Sequence, residues 1–320
     1  MIHKFCVAPM MDRTDRHERY FLRLLTKEAF LYTEMIHANA IVYGNRKELL
    51  KYSPEEHPLG IQLGGSEADI LTEASIYAEE YGYHEINLNI GCPSSRVKAG
   101  NFGAVLMKEP HLVANCVEKI QKHISIPVTV KCRIGVDDMK EEDFFSFIDI
   151  VKDSGCSTFV IHARKALLKG LSPKENREIP PLNYDIVYEL KQKFPSLEII
   201  LNGGIETLDD GLNNLQDLDG IMMGRSSYSD PFQLSKVDSL FFDKEDMNLT
   251  KQEVFLRFIP YLLKEMENGY KLQLITKHVM GFFRGNSLAK EIRKTLANIQ
   301  NEKNIEKTLF NIANQLTILC

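Results

Sequence analysis

The stretch Glu85-Ile86-Asn87-Leu88-Asn89-Ile90-Gly91-Cys92-Pro93-Ser94 is a short strand that runs straight into a glycine, a cysteine and a proline. Gly91 permits a sharp turn and Pro93 stops the strand from continuing, so Cys92 stands at a strand's end on a stiff loop. Loops at strand ends are where α/β enzymes keep their chemistry. A buried structural cysteine is the alternative for any lone cysteine. The Gly-Cys-Pro setting favours a working thiol.

Outward from this strand, seven more runs of the same kind stand at 5–8, 31–35, 59–63, 128–133, 158–162, 198–202 and 220–223. Helix-compatible stretches separate them, among them 67–81, 143–152 and 184–193, the first with Ser66 and Asp69 as a start signal. Most of the runs are rich in Val, Ile and Leu without polar alternation, as expected of parallel strands buried on both faces. Eight βα units over about 230 residues predict an α/β fold of the TIM (β/α)8 barrel class. A doubly wound sheet is the runner-up, and no Gly-x-Gly-x-x-Gly follows the first strand to support it. After Pro231 the strand signals stop, and helical patterning runs from about residue 250. The expected organisation is a barrel domain over 1–240 and a small C-terminal helical domain over 241–320.

The six cysteines, at 6, 92, 116, 132, 156 and 320, form no Cys-x-x-Cys pair, which excludes a zinc ribbon and gives no disulfide framework. No signal-peptide pattern and no membrane-length apolar run is present, so a soluble, cytoplasmic protein without membrane contact is expected. The net charge of −5 does not by itself suggest a nucleic-acid binder. Residues 205–250 carry ten acidic and three basic side chains, whereas 251–300 carry nine Lys/Arg against four Asp/Glu. Such a basic segment is either a polyanion-binding surface or the solvated face of amphipathic helices.

In a barrel the functional residues lie at the C-terminal ends of the strands. Those ends read Ala8-Pro9-Met10-Met11-Asp12, Gln62, Cys92, Lys131 with Arg133, His162-Ala163-Arg164-Lys165, Asn202-Gly203-Gly204 and Gly224-Arg225. The last two expose backbone N–H groups where many barrels bind phosphate, and Arg225 adds charge. Lys131 either meets an Asp or Glu deep in the barrel or is held against an electron-rich ligand such as a flavin. His162, beside Arg164 and Lys165, is placed for ligand contact. No metal-ligand spacing occurs in this set, and no metal is expected. The insertion 167–182, with Lys174 and Arg177, is long enough for a barrel loop to be functional.

This ordered series resembles the tRNA-dihydrouridine synthases, flavin enzymes that reduce uridines in tRNA. The segments 8–17, Thr33-Glu34-Met35, 87–94, 130–135, 162–165, 202–204 and 224–225 carry the resemblance, which covers nearly the whole chain. The run 169–182 resembles the A-type bacterial subfamily, which acts on uridines 20 and 20a of the D-loop. The resemblance implies FMN at the barrel mouth. Pro9, Met10 and Met11 would line the isoalloxazine, and Gln62 and Lys131 would bond its polar edge. His162, Asn202, Gly203, Gly204, Gly224 and Arg225 would hold the ribityl chain and phosphate.

It further implies NADPH as reductant, hydride transfer from the reduced flavin to C6 of the uracil, and protonation of C5 by Cys92. A thiol, ordinarily of pKa about 8.5, suits an acid at neutral pH. Asn89, just before Cys92 in the pleat, is expected to face the same mouth and contact the target nucleotide. The target uridine must leave its stack to react. A folded RNA also needs phosphate contacts over a wide surface. Lys174 and Arg177 on the insertion, and Arg284 and Arg293 in the helical segment, are expected to supply them. A monomer is expected. The rival readings are an FMN barrel oxidoreductase acting on a small molecule, of dihydroorotate type, an RNA-binding protein without catalysis, and an aldolase-type barrel with Lys131 as Schiff-base nucleophile.

Overall fold

Eight parallel strands form one sheet in the order β1-β8-β7-β6-β5-β4-β3-β2 in a computed structural model that describes residues 2–94 and 100–316. The strands are β1 (Phe5–Val7), β2 (Leu31–His37), β3 (Leu59–Gly64), β4 (Glu85–Ile90), β5 (Val128–Arg133), β6 (Thr158–His162), β7 (Glu198–Asn202) and β8 (Gly220–Met223). A parallel bridge between Cys6 and Phe30 brings β1 against the start of β2 and closes the sheet into the expected barrel. The anticipated helices form at Ala68–Glu80, Glu141–Asp153 and Asp185–Lys193. The first has Glu67 rather than Ser66 as its cap residue, with no side-chain cap bond. Cys320 lies outside the described residues.

The outward faces of the strands are the apolar ones. Ile86, Leu88 and Ile90 of β4 join the large cluster shared with the surrounding helices. The inward face differs from the expectation that the strands lack polar alternation. One side of the interior is apolar, built from Cys6, Phe30, Tyr32, Val160, Ile200 and Met222. The other side is polar, because Glu85, Asn87 and Asn89 alternate inward along β4 and bond to Thr129 and Gln62 on its neighbours. Every such group has to find a partner inside, since an unpaired buried polar atom is costly.

At the floor of the barrel His3 lies between Glu85, 2.7 Å away, and Glu198, 3.0 Å away. Burial alone would lower the imidazole's pKa, but hydrogen bonds to Glu198 and Glu85 outweigh it and raise it to about 9. The folded-state value lies above the ordinary 6.5, so the interaction stabilises the fold fully below pH 6.5 and is lost as pH rises through about 9. Its size is at most about 3 kcal/mol. Urea unfolding should therefore show wild type more stable than His3→Gln near pH 6, with the gap shrinking as pH approaches about 10. A gap that is the same at both ends would remove the charge from the account.

Beyond β8 the chain turns helical, with elements at Arg225–Ser229, Pro231–Lys236 and Val237–Phe241 and then the long helix Lys251–Glu267. Thr250 and Glu253 form a capping box that starts this helix at the residue where the sequence pattern changes. It docks on the barrel's first helix, Arg16–Arg23. Tyr20 stacks on Tyr261 at 3.9 Å between centroids, Phe21 meets Phe258 edge-on at 5.0 Å, and Arg16 pairs with Glu265. Asp15 caps the barrel helix and also bonds His278 at 2.8 Å. No described helix is long and apolar enough to cross a membrane.

Candidate active site at the barrel mouth

The Cys92 turn is clamped from two directions. Asn89 Oδ1 accepts from the backbone N–H of Gly91 at 3.2 Å and of Cys92 at 3.0 Å. Arg133, at the end of the neighbouring strand, donates to the Gly91 carbonyl at 3.1 Å. The same guanidinium reaches the carbonyls of Lys165 and Asn176, so it joins the turn to the long insertion after β6. Among the described cysteines only Cys92 is half-buried; Cys6, Cys116, Cys132 and Cys156 are buried, and burial raises each of their thiol pKa values. Cys92 is the described thiol that a substrate can reach.

Lys131 comes from the interior face of β5 and crosses the barrel to donate to Asn202 Oδ1 at 2.8 Å. Asn202 is held in turn by its own amide, which donates to the Met222 carbonyl at 2.8 Å. No described carboxylate pairs with this ammonium, so the buried Asp or Glu partner weighed from the sequence is replaced by an amide. Burial, and after it the Arg133 charge, pull the lysine down to about 8. His162 lies over Gly203, where a Cβ would come within 2.4 Å of the imidazole ring. Burial first, then Arg133, Lys131, Arg164 and Arg177, hold that imidazole well below its ordinary pKa, so it is neutral at pH 7.

Gly203 and Gly204 have φ of +103° and +75°, a backbone that other residues adopt only with strain, and Gly204 is exposed. Gly224 is open on its side-chain face, where a Cβ would meet only Ala8 at 3.9 Å. Arg225 is exposed and paired with Glu178 of the insertion at 2.5 Å, an exchangeable surface contact. Arg164 reaches the Glu178 and Pro180 carbonyls, and its buried Nε has no partner among the described residues. An orphaned guanidinium N–H close to the charge of Arg225 fits an anionic group. The Lys131 ammonium fits the electron-rich edge of a flavin, and Gln62 is bonded at 2.7 Å to Asn89, the register partner of Lys131.

The Pro9-Met10 turn is fastened by Thr14, whose hydroxyl accepts from Met10 N at 2.9 Å, and Met11 projects outward, 56 % exposed. Arg177 sits on the short 3-10 turn Glu175–Arg177, and partial burial with the charges of Arg225 and Arg13 lowers its pKa. Lys174, next to it, is exposed. Arg284 and Arg293 are exposed on the helical segment. Arg284 lies 3.9 Å from Asp230, just past the short helix that follows β8, and Arg293 donates to the Ala289 carbonyl. Arg164 and Arg133 were visible at strand ends without an assigned part, and Asn176, which binds the insertion together through Leu167, gave no signal of its own.

The dihydrouridine synthase family model matches residues 6–317. The tRNA-dihydrouridine(20/20a) synthase of Synechocystis sp. is 49% identical over 298 residues, 93% of this chain and 89% of that protein. The enzyme of the same name from Escherichia coli K12 is 49% identical over 296 residues, 92% of this chain and 86% of that one. A solved 2-naphthoyl-CoA reductase complex aligns with a TM-score of 0.58 at 10% identity, over 74% of this chain and 50% of that chain. The chain spans half the length of that reductase, and at such identity the match concerns the barrel fold alone.

Proposed function

The chain belongs to the dihydrouridine synthase family, and from this premise we propose that it reduces uridines 20 and 20a of tRNA to 5,6-dihydrouridine at the barrel mouth, as the names of its relatives state for them. The observation that carries this reading is that the Cys92 turn and the Lys131–Asn202 pair share one cationic mouth, with Arg133 adjoining both.

The family is flavin-dependent, and FMN is the flavin the residues here suit. When bound and reduced by NADPH, FMN supplies a hydride to C6 of the uracil. Lys131 and Gln62 would bond its polar edge, Pro9, Met10 and Met11 would flank it, and His162, Asn202, Gly203, Gly204, Gly224 and Arg225 would take its ribityl chain and phosphate. Arg225 would exchange its surface partner Glu178 for the phosphate. Cys92 delivers a proton to C5, so that one hydride and one proton complete the saturation of the C5–C6 bond. Asn89 and Arg133 hold the thiol's turn in place while this occurs. We assign residues 1–240 to catalysis and 241–320 to tRNA binding, in a monomeric, cytoplasmic enzyme.

Mass spectrometry of nuclease-digested tRNA transcript, after incubation with the protein and NADPH, should show uridines 20 and 20a gaining two hydrogens. A yellow protein that oxidises NADPH and leaves the RNA unchanged would instead be a small-molecule oxidoreductase. Lys174, Arg177, Arg284 and Arg293 are assigned to RNA phosphates. Replacing Arg284 and Arg293 together with alanine should weaken tRNA binding and reduce the slope of log affinity against log salt by about 1 to 2. An unchanged slope would take both out of the footprint.

A further inference from the structure

A continuous chain of hydrogen bonds runs down the polar side of the barrel interior, from the Cys92 turn to the floor. Asn89 accepts from Cys92 N with Oδ1, and its Nδ2 donates to Gln62 Oε1 at 2.7 Å. Gln62 Nε2 donates to Asn87 Oδ1 at 2.8 Å, and Asn87 Nδ2 donates to Thr129 Oγ1 at 2.8 Å. The Thr129 hydroxyl then donates to Glu85 Oε1 at 2.6 Å. Gln62, Asn87 and Thr129 are register partners on adjacent strands, so the links lie along one rung of the sheet. Gln62, Asn87, Thr129 and Glu85 are all 1% exposed or less.

All the bonds in this chain point the same way. An amide has a donating and an accepting end, so turning over any one of the three puts like ends together unless its neighbours turn as well. A carboxylate only accepts, and Glu85 also receives the Tyr32 hydroxyl at 2.8 Å and His3 at 2.7 Å. Thr129 must therefore donate to Glu85 and accept from Asn87. That choice fixes Asn87, then Gln62, then Asn89. The opposite polarity would turn the Asn89 amide N–H groups toward the N–H groups of Gly91 and Cys92, leaving half-buried donors facing one another.

We propose that Glu85, acting through Thr129 and Asn87, is a positioning residue for the uridine reduction. It sets the polarity of the Gln62 and Asn89 amides at the mouth and thereby holds the turn that presents Cys92. This rests on the proposed function only for its catalytic consequence, since the effect on the Cys92 turn belongs to the protein without cofactor or RNA.

The test removes the link without changing shape. Thr129→Val deletes the hydroxyl, Thr129→Ser keeps it, and Glu85→Gln replaces the pure acceptor by a group that can also donate. Two quantities are read: dihydrouridine formation at varied tRNA, and the rate at which iodoacetamide alkylates Cys92 in flavin-free protein, located by peptide mass spectrometry. Thr129→Val should lower kcat at least about fivefold with KM for tRNA unchanged. It should also raise the alkylation rate at least about threefold, as the turn loosens and exposes the thiol. Thr129→Ser should return both to near wild type. Glu85→Gln should match Thr129→Val, and decides the matter should the valine variant not fold.

Folded Thr129→Val or Glu85→Gln protein with wild-type kcat and alkylation rate overturns the proposal. So does a Thr129→Ser variant as impaired as the valine one, because packing rather than polarity would then be responsible. Wild-type protein that makes no dihydrouridine would defeat the functional reading alone, and the alkylation rates would still decide the positioning role.

Discussion

Cys92→Ala is expected to lose about 10²- to 10⁴-fold in dihydrouridine formation, the range set by removal of a positioned acid. Flavin reduction by NADPH and tRNA affinity should stay close to wild type. The expectation follows from geometry. The turn that carries Cys92 is held through main-chain atoms, by Asn89 on the N–H side and Arg133 on the preceding carbonyl, while Ala104 N donates to the Cys92 carbonyl at 3.0 Å. The thiol contributes to none of these three bonds, so alanine leaves the turn standing and removes only the proton donor. Digestion and mass spectrometry of tRNA from single-turnover reactions would measure the loss. Product at the wild-type rate would assign the proton to another group or to water. The remaining described cysteines are buried and cannot substitute.

The strands from β4 to β8 coincide with the runs read from the sequence, because each carries apolar residues along its outward face and is ended by a glycine or a polar cluster. At β2 the sequence stops early. The strand continues to His37 through an irregularity in register between Tyr32 and Met35, and a shift of pairing leaves no trace in composition. The strand-end residues were legible because barrel topology places all strand ends on one rim. The polar interior was not. Glu85, Asn87 and Asn89 do alternate in the sequence, but that Gln62 and Thr129 stand on the same rung is a fact of register between strands. Arg16 and His17 carry a similar lesson. They belong to a segment that carries the family resemblance, and in the fold Arg16 pairs with Glu265 and His17 bonds the Tyr261 hydroxyl at 2.7 Å, so both dock the helical segment.

Lys131→Met should move activity and stability in opposite directions. A half-buried ammonium whose described partner is an amide has given up part of its hydration without gaining a counter-charge. Its pKa falls from 10.5 to about 8, which corresponds to a cost of about 3 kcal/mol for the charged form in the folded protein. That cost is fully present below pH 8 and fades as pH rises toward 10.5, because the folded protein releases the proton first. Methionine avoids it and loses only the bond to Asn202, worth about 1 to 3 kcal/mol. Flavin-free Lys131→Met should therefore be at least as stable as wild type in urea near pH 7 and lose any advantage by about pH 11. The same charge favours the electron-rich, reduced form of a bound flavin, so bleaching of the variant by NADPH should slow about 10- to 100-fold. A variant bleached at the wild-type rate would place the flavin's polar edge away from Lys131. A strongly destabilised variant would show that the lysine braces β5 against β7, and the cation would then be structural.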